Sequence, residues 1–204
     1  MYLRDCVWEA PACLTRVIAL ERQYQDCKSL FCTLLGLKNA TLEHVVDEIL
    51  NPQSRDLNQQ AAQQKQLLLV VNDFLRRNVS SGPIEKLMGK DVIPVVKSAP
   101  GREMSDLMNY DRHIWYFADR PSLRESFKEK VWLIDFPVDV VRKLSPLIKA
   151  MGLEEYRLSA AVVEETECNG DPILDQDRTM DLRARAQYFM RSVLSSQSLP
   201  HLFC

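Results

Sequence analysis

HIWYFADRPSLRESFKEKVWLIDFP, residues 113 to 137, is the stretch on which the fold class turns. Its two ends, IWYFA (114–118) and VWLIDF (131–136), are rich in aromatic and β-branched residues, the composition of strands. Between them, Ser122 and Glu125 have capping-box spacing and predict a short helix over SLRESFKEK. Strand, helix, strand is the pattern of a crossover unit. The connection is barely long enough for one, so the pattern points to an α+β fold rather than an alternating α/β fold. The two strands are expected side by side in one sheet. Trp115 and Phe117 then share a side of their strand, with Leu133 buried.

Outward from this unit the pattern is mixed. Upstream, VIPVV (92–96) is a short apolar run whose Pro94 predicts an edge or irregular strand. SAPGREMSD reads as a turn-rich connection. Downstream, Val140, Val141, Leu144, Leu147, Ile148 and Met151 lie on one helical face, with Pro146 splitting the helix near Ser145 and Gly152 as a C-cap. LSAAVVEETE is expected to add a strand. The acidic loop ECNGDPILDQD follows, then a last helix carrying Leu182, Ala186, Phe189 and Val193.

The first third reads as helical. Leu14, Val17, Ile18, Tyr24, Phe31, Leu34 and Leu35 recur at helical spacing up to a stop at Gly36. Thr41 caps a second helix with Leu42, Val45, Val46 and Ile49 on one face, ended by Asn51-Pro52. The polar SRDLNQQAAQQKQ, read as a solvated helix face, leads into a third helix with Leu67, Leu68, Val71, Phe74 and Leu75. The expected organisation is a helical part over residues 1–80 with about three helices. Residues 81–204 then form a small mixed sheet with flanking helices and a C-terminal helix. The two parts can make one continuous domain.

Composition bounds the function. With 204 residues, 46% hydrophobic and 26% charged, the chain has the make-up of a globular protein. A formal net charge of −2 disfavours general binding to nucleic-acid backbones. No apolar run is long enough to span a bilayer, and MYLRDCVWEAP lacks the apolar core of a signal peptide. An intracellular location, cytoplasmic or nuclear, is therefore expected. Cys6, Cys13, Cys27, Cys32, Cys168 and Cys204 form no Cys-x-x-Cys pair, and His44, His113 and His201 are scattered. A zinc site wants two tight ligand pairs, so reduced and mostly buried thiols are the expectation.

Two acids invite a catalytic reading. Asp119 and Asp135 stand at strand ends, where metal enzymes often place carboxylates, with Arg120, Glu125 and Glu129 nearby. A metal-dependent nuclease-like enzyme using Asp119 and Asp135 is one alternative. However, VWLIDF runs into Pro137 without the lysine that such chemistry uses on a neighbouring strand. The scaffold reading has Asp119 capping the Pro121–Ser122 turn, Arg120 bridging carboxylates and Asp135 capping the helix opened by Pro137. No phosphate-binding glycine loop and no nucleophile elbow occurs among the six glycines. No catalytic residue, metal ligand or cofactor is therefore assigned. Trp115 is expected to pack, with an interaction role as the alternative. Arg183, Arg185 and Arg191 read as a solvated basic stripe balanced by acids.

Several stretches together carry a family resemblance: DCVWEAP, LFCTLLGLKNATLEHVVDEI, YFADRPSLRESFKEKVWLIDFPVDVVRKLSPLIKAMGLEEYRLS and the arginine-rich last helix. From about residue 4 to about 195 the chain resembles a region of large fungal proteins. Those proteins carry a histidine-kinase/heat-shock-chaperone-type ATPase domain and are related to sacsin and the plant NO VEIN proteins. The most specific matches are Ala118-Asp119-Arg120, Leu133–Phe136 and Met151–Glu154. In such proteins the ATPase module lies upstream and is marked by an Asp-x-Gly-x-Gly loop, which this chain lacks, so no ATP-site residue carries over. The resemblance implies a downstream, non-catalytic module, either a fragment of a longer ATPase-containing chain or a shortened gene product. Its expected partner is a protein surface or the ATPase domain of that chain. A chaperone-like holdase using exposed apolar surface is a further alternative.

Overall fold

The computed structural model describes residues 6–77, 80–109, 114–163 and 176–196, with side chains up to Ala186 in the last helix. Residues up to Val163 form one compact unit and Glu164–Cys204 a second. The first unit contains β1 (Cys6–Val7), β2 (Ile18–Ala19), α1 (Leu42–Leu50), α2 (Leu57–Arg76), β3 (Asp91–Ala99), β4 (Arg102–Asn109) and β5 (Trp115–Tyr116). It continues with α3 (Pro121–Phe127), β6 (Trp132–Ile134), α4 (Val138–Lys143), α5 (Ser145–Ala150) and α6 (Leu158–Ala161). The fold is α+β. A four-stranded mixed sheet of order β4-β3-β6-β5 is flanked by helices.

The two strands stand side by side as expected, and the connection, barely long enough, does make a parallel crossover. β5 and β6 pair in parallel, Trp115 opposite Trp132 and Tyr116 opposite Leu133, joined through α3. Trp115 and Phe117 lie on the same side and meet edge to face, with ring centroids 5.3 Å apart. Leu133 is buried on the opposite side, with Ala118, Leu123 and Leu158. Pro121 opens α3 from an N-cap at Arg120, so Ser122 stands inside the first turn and forms no capping box. Proline's fixed φ and missing N–H suit that position better than any other in a helix. Glu125 pairs instead with Lys128, at 2.6 Å.

Of the expected edge or irregular strand at Pro94, the edge half fails and the irregular half holds. β3 is an interior strand, between β4 and β6. The Pro94 carbonyl accepts the Asp135 N–H at 2.9 Å, just past the end of β6. The nitrogen of Pro94 faces the same way, so the missing donor falls where the ladder ends. β3 also bulges between Asp91 and Ile93. The turn-rich SAPGREMSD is another correction: Ala99–Gly101 turns the chain and Arg102 begins β4, which pairs antiparallel along β3. Gly101 takes φ +78°, open to glycine at little cost. β4 is mostly polar and half-exposed, so it carries no apolar alternation to announce it.

The first third departs furthest from its pattern. The spacing over 14–36 predicts one helix. The chain instead forms a parallel pair between β1 and β2, a 3-10 turn at Gln25–Cys27 and a π-helical stretch at Ser29–Leu34. Non-local bonds outweigh the local pattern: Leu20 N–H reaches Val7 O at 3.1 Å, Trp8 N–H reaches Lys38 O at 2.9 Å, and Trp8 stacks on Phe31. Beyond it, α1 and α2 follow expectation. Leu42, Val45, Val46 and Ile49 are buried against Leu67, Leu68 and Val71. His44 Nδ1 accepts the Thr41 N–H at 3.0 Å, closing the start of α1. The glutamine stretch supplies the early turns of α2, yet only part of it is solvated: Gln64 is buried and donates to Ile49 O at 2.8 Å.

Pro146 divides the downstream helix as expected, into α4 and α5. In LSAAVVEETE the described residues, 158–163, are not a strand. Its first residues form α6, and those from Glu164 onward, with most of the acidic loop, lie outside the described residues. The one core that links α1, α2, the sheet, α4 and α5 runs from Val7 to Tyr156. In the second unit, α7 (Gln176–Ser196) exposes Leu182, Ala186 and Arg183, and Arg185 pairs with Asp181 at 2.9 Å. The side chains of Phe189, Arg191 and Val193 lie outside the described residues.

Candidate functional site

Asp119 follows β5. Phe117 N–H bonds Tyr156 O at 2.8 Å and Leu158 N–H bonds Phe117 O at 3.0 Å, which brings Asp119 opposite the start of α6. One Asp119 oxygen accepts the Ser159 N–H at 3.3 Å and the other accepts the Ser159 hydroxyl at 2.5 Å. Asp119 thus serves the first turn of a helix 40 residues on, not the adjoining Pro121–Ser122 turn. It borders a hollow of about 230 Å³ with Arg142, Ser145 and Arg157 at its rim and Val141 and Ile148 within it.

Asp135 follows β6 and does not border that hollow. Its Oδ2 accepts from Lys65 Nζ of α2 at 2.7 Å, tying the sheet to the long helix. It does not cap α4, whose N-cap is Pro137 without a side-chain bond. Asp119 and Asp135 therefore hold different partners on different elements. Arg120 occupies the α3 N-cap, and Arg124 donates to Phe136 O at 2.6 Å, holding α3 to the end of β6. Trp115 is fully buried against Phe117 and Tyr156 and donates from Nε1 to Asn109 O at 3.0 Å. It is a core residue.

Three polar residues escaped the sequence reading. Glu48 is 1% exposed. Its carboxylate accepts the Arg16 N–H at 3.0 Å, the Thr15 N–H at 3.3 Å, the Thr15 hydroxyl and Gln63 Nε2 at 3.2 Å. It clamps the N-terminal segment onto α1. Asn72 and Gln64 are likewise buried in α2. All three stand on apolar helix faces, next to Ile49, Val71 and the Leu67-Leu68 pair. A polar residue in such a row was the available signal.

Charge effects elsewhere are modest. Burial raises the Cys13 thiol above its ordinary value, opposed by a backbone hydrogen bond and reinforced by the Glu48 charge. Cys6, Cys13, Cys27 and Cys32 form no disulfide with one another and are half-buried rather than fully buried. Cys168 and Cys204 lie outside the described residues. Among the described residues no group of three or more His, Cys, Asp or Glu side chains is placed to hold a metal ion. None of the described helices is long and apolar enough to cross a membrane.

Among the polar residues that the N-terminal segment exposes stand several large apolar ones. Tyr24, Leu30 and Leu35 are nearly half-exposed and Leu34 is 77% exposed. They belong to one short stretch, around the π-helical turn. Large apolar side chains gathered in this way are unusual on a surface that meets only water.

These features define an α+β domain in which Asp119, Asp135 and Glu48 are engaged in structural bonds. A family profile described as Domain of unknown function (DUF8348) matches residues 43–162, and the chain belongs to that family. The match takes in α1 through α6 and the whole four-stranded sheet; the apolar segment precedes it. No curated protein and no solved structure matches the chain.

Proposed function

We propose that this chain is a non-catalytic accessory module that binds a protein surface, working inside the cell beside the ATPase domain of a longer chain. The observation that carries the reading is the exposure of Tyr24, Leu30, Leu34 and Leu35 within one short stretch around the π-helical turn. Burying a fully exposed leucine is worth roughly 1.5–3 kcal/mol, and the half-exposed side chains here gain about half of that each, so a specific contact needs several acting together. That Cys13, Cys27 and Cys32 form no disulfide with one another is in keeping with a reducing compartment. The sequence resemblance supplies the partner: a histidine-kinase/heat-shock-chaperone-type ATPase domain, a proposal of sequence alone.

The test pairs this chain with the ATPase domain encoded upstream in a longer relative. Calorimetry is expected to show saturable one-to-one binding, lost in Leu30→Asp and Leu34→Asp while the thermal melt is kept. Binding indifferent to both substitutions would overturn the reading, as would magnesium-dependent cleavage of nucleic acid abolished by Asp119→Ala. Suppression of aggregation for unrelated clients, without any saturable partner, would replace the module with a holdase.

A further inference from the structure

The two edges of the sheet are finished differently. At the β5 edge, Phe117 bridges to Arg157 and is bonded by Tyr156 and Leu158, so that edge is covered. β4 forms the other edge, and among the described residues no strand pairs with its outer side. It is eight residues long and contains no proline, the residue that most simply blocks an edge.

The register shows which backbone groups are open. Pro94 and Val96 direct their backbone groups toward β6, so their partners Leu107 and Ser105 direct theirs away from β3. With Glu103, these form an outward row of alternate residues. The Leu107 N–H is occupied by its neighbour, Asp106 Oδ1, at 2.7 Å. That leaves the donors and acceptors of Glu103 and Ser105 in the middle of the strand.

We propose that this edge is a homodimer surface, on which β4 of a second copy pairs antiparallel to form one continuous sheet. Side-chain charge selects the occupant and the register. An alignment that puts Glu103 opposite Glu103, or Asp106 opposite Asp106, sets like charges face to face, which destabilises a strand pair. The alignment centred on Met104 opposite Met104 places Glu103 opposite Ser105 and Arg102 opposite Asp106, twice by symmetry. It joins the open backbone groups in both directions and matches each basic residue to an acid. A two-fold axis makes the patch self-complementary, as a closed dimer requires. Charges that would ordinarily blunt an edge thus complement those of an identical strand. In the pair, Asp106 leaves the Leu107 N–H for Arg102 of the second copy, and the Leu107 N–H turns to the Gly101 carbonyl. The interface is small, so association is weak.

Sedimentation equilibrium of the full chain tests this. The mass is expected to rise toward twice the monomer value over about 10–500 µM. Ser105→Pro removes an outward N–H and no bond to β3, and should leave the thermal melt intact while abolishing the rise. Arg102→Asp and Asp106→Arg should each weaken association at least about tenfold. Mixing the two single variants, or joining both changes in one chain, should restore it. A chain that stays monomeric throughout overturns the proposal. So does a dimer that survives Ser105→Pro, or charge reversals that mixing does not rescue.

Discussion

Asn72 meets Leu147 across the break between α4 and α5: its side-chain carbonyl accepts the Leu147 N–H at 3.3 Å, while its amide donates to Lys143 O at 3.2 Å. Lys143 and Leu147 are four apart, the pair that a continuous helix would bond directly. Pro146 prevents that turn, and the Asn72 carboxamide from α2 bonds both groups, with the Arg76 guanidinium also donating to Lys143 O at 3.1 Å. Asn72→Ala is expected to lower unfolding free energy by about 1–3 kcal/mol, the scale for leaving the buried Leu147 N–H unpaired, while Arg76 still serves Lys143 O. Urea melts check this, with an unchanged slope.

Asp119 holds Ser159 through both carboxylate oxygens. Asp119→Ala should destabilise by about 1–2 kcal/mol, and Ser159→Ala by less, since it removes only the hydroxyl. A catalytic carboxylate held against its own stability would shift the other way on removal. A higher melting temperature for Asp119→Ala would overturn the scaffold role.

Lys65 and Asp135 are each about a third exposed or less, so solvent screens much of their attraction. A double-mutant cycle with alanine at each is expected to give a coupling of about 0.5–1 kcal/mol, reduced in strong salt. No coupling would mean that the bond does not hold α2 to the sheet.

Glu48 gathers three donors from residues 15 and 16 and one from Gln63. Glu48→Ala should cost about 3 kcal/mol and loosen the N-terminal segment before the rest unfolds. Alkylation of Cys13 reads this out. Its raised thiol makes it slow to react in the native chain at mild alkaline pH, and the substitution should speed it. Unchanged reactivity would contradict the clamp.

The exposed pair Glu125–Lys128 sets a small pH dependence. Its hydrogen bond and charge lower the Glu125 carboxyl and raise the Lys128 ammonium. The carboxyl's contribution is full above the ordinary glutamate range and fades as pH falls through the lowered value. The ammonium's is full below the ordinary lysine range and fades as pH rises through the raised value. Glu125→Gln should therefore lower the melting temperature slightly at neutral pH, with the difference vanishing in acid and in about 1 M salt.

Local pattern determined much of this protein. The apolar rows of α1 and α2, the paired aromatic strands around α3 and the split at Pro146 all rest on side-chain periodicity or on proline's geometry. Those causes act over a few residues and can be read from them. Tertiary structure alone decided the rest. The spacing over 14–36 is helical, yet bonds from Val7, Lys38 and Glu48 hold that chain in another form. β4 has no apolar alternation and exists because β3 offers it a ladder. Asp119 and Asp135 are read from sequence as strand-end acids, but their partners, Ser159 and Lys65, stand 40 and 70 residues away. A carboxylate's role follows from what the fold brings within hydrogen-bond reach, and that distance is not written in its neighbours.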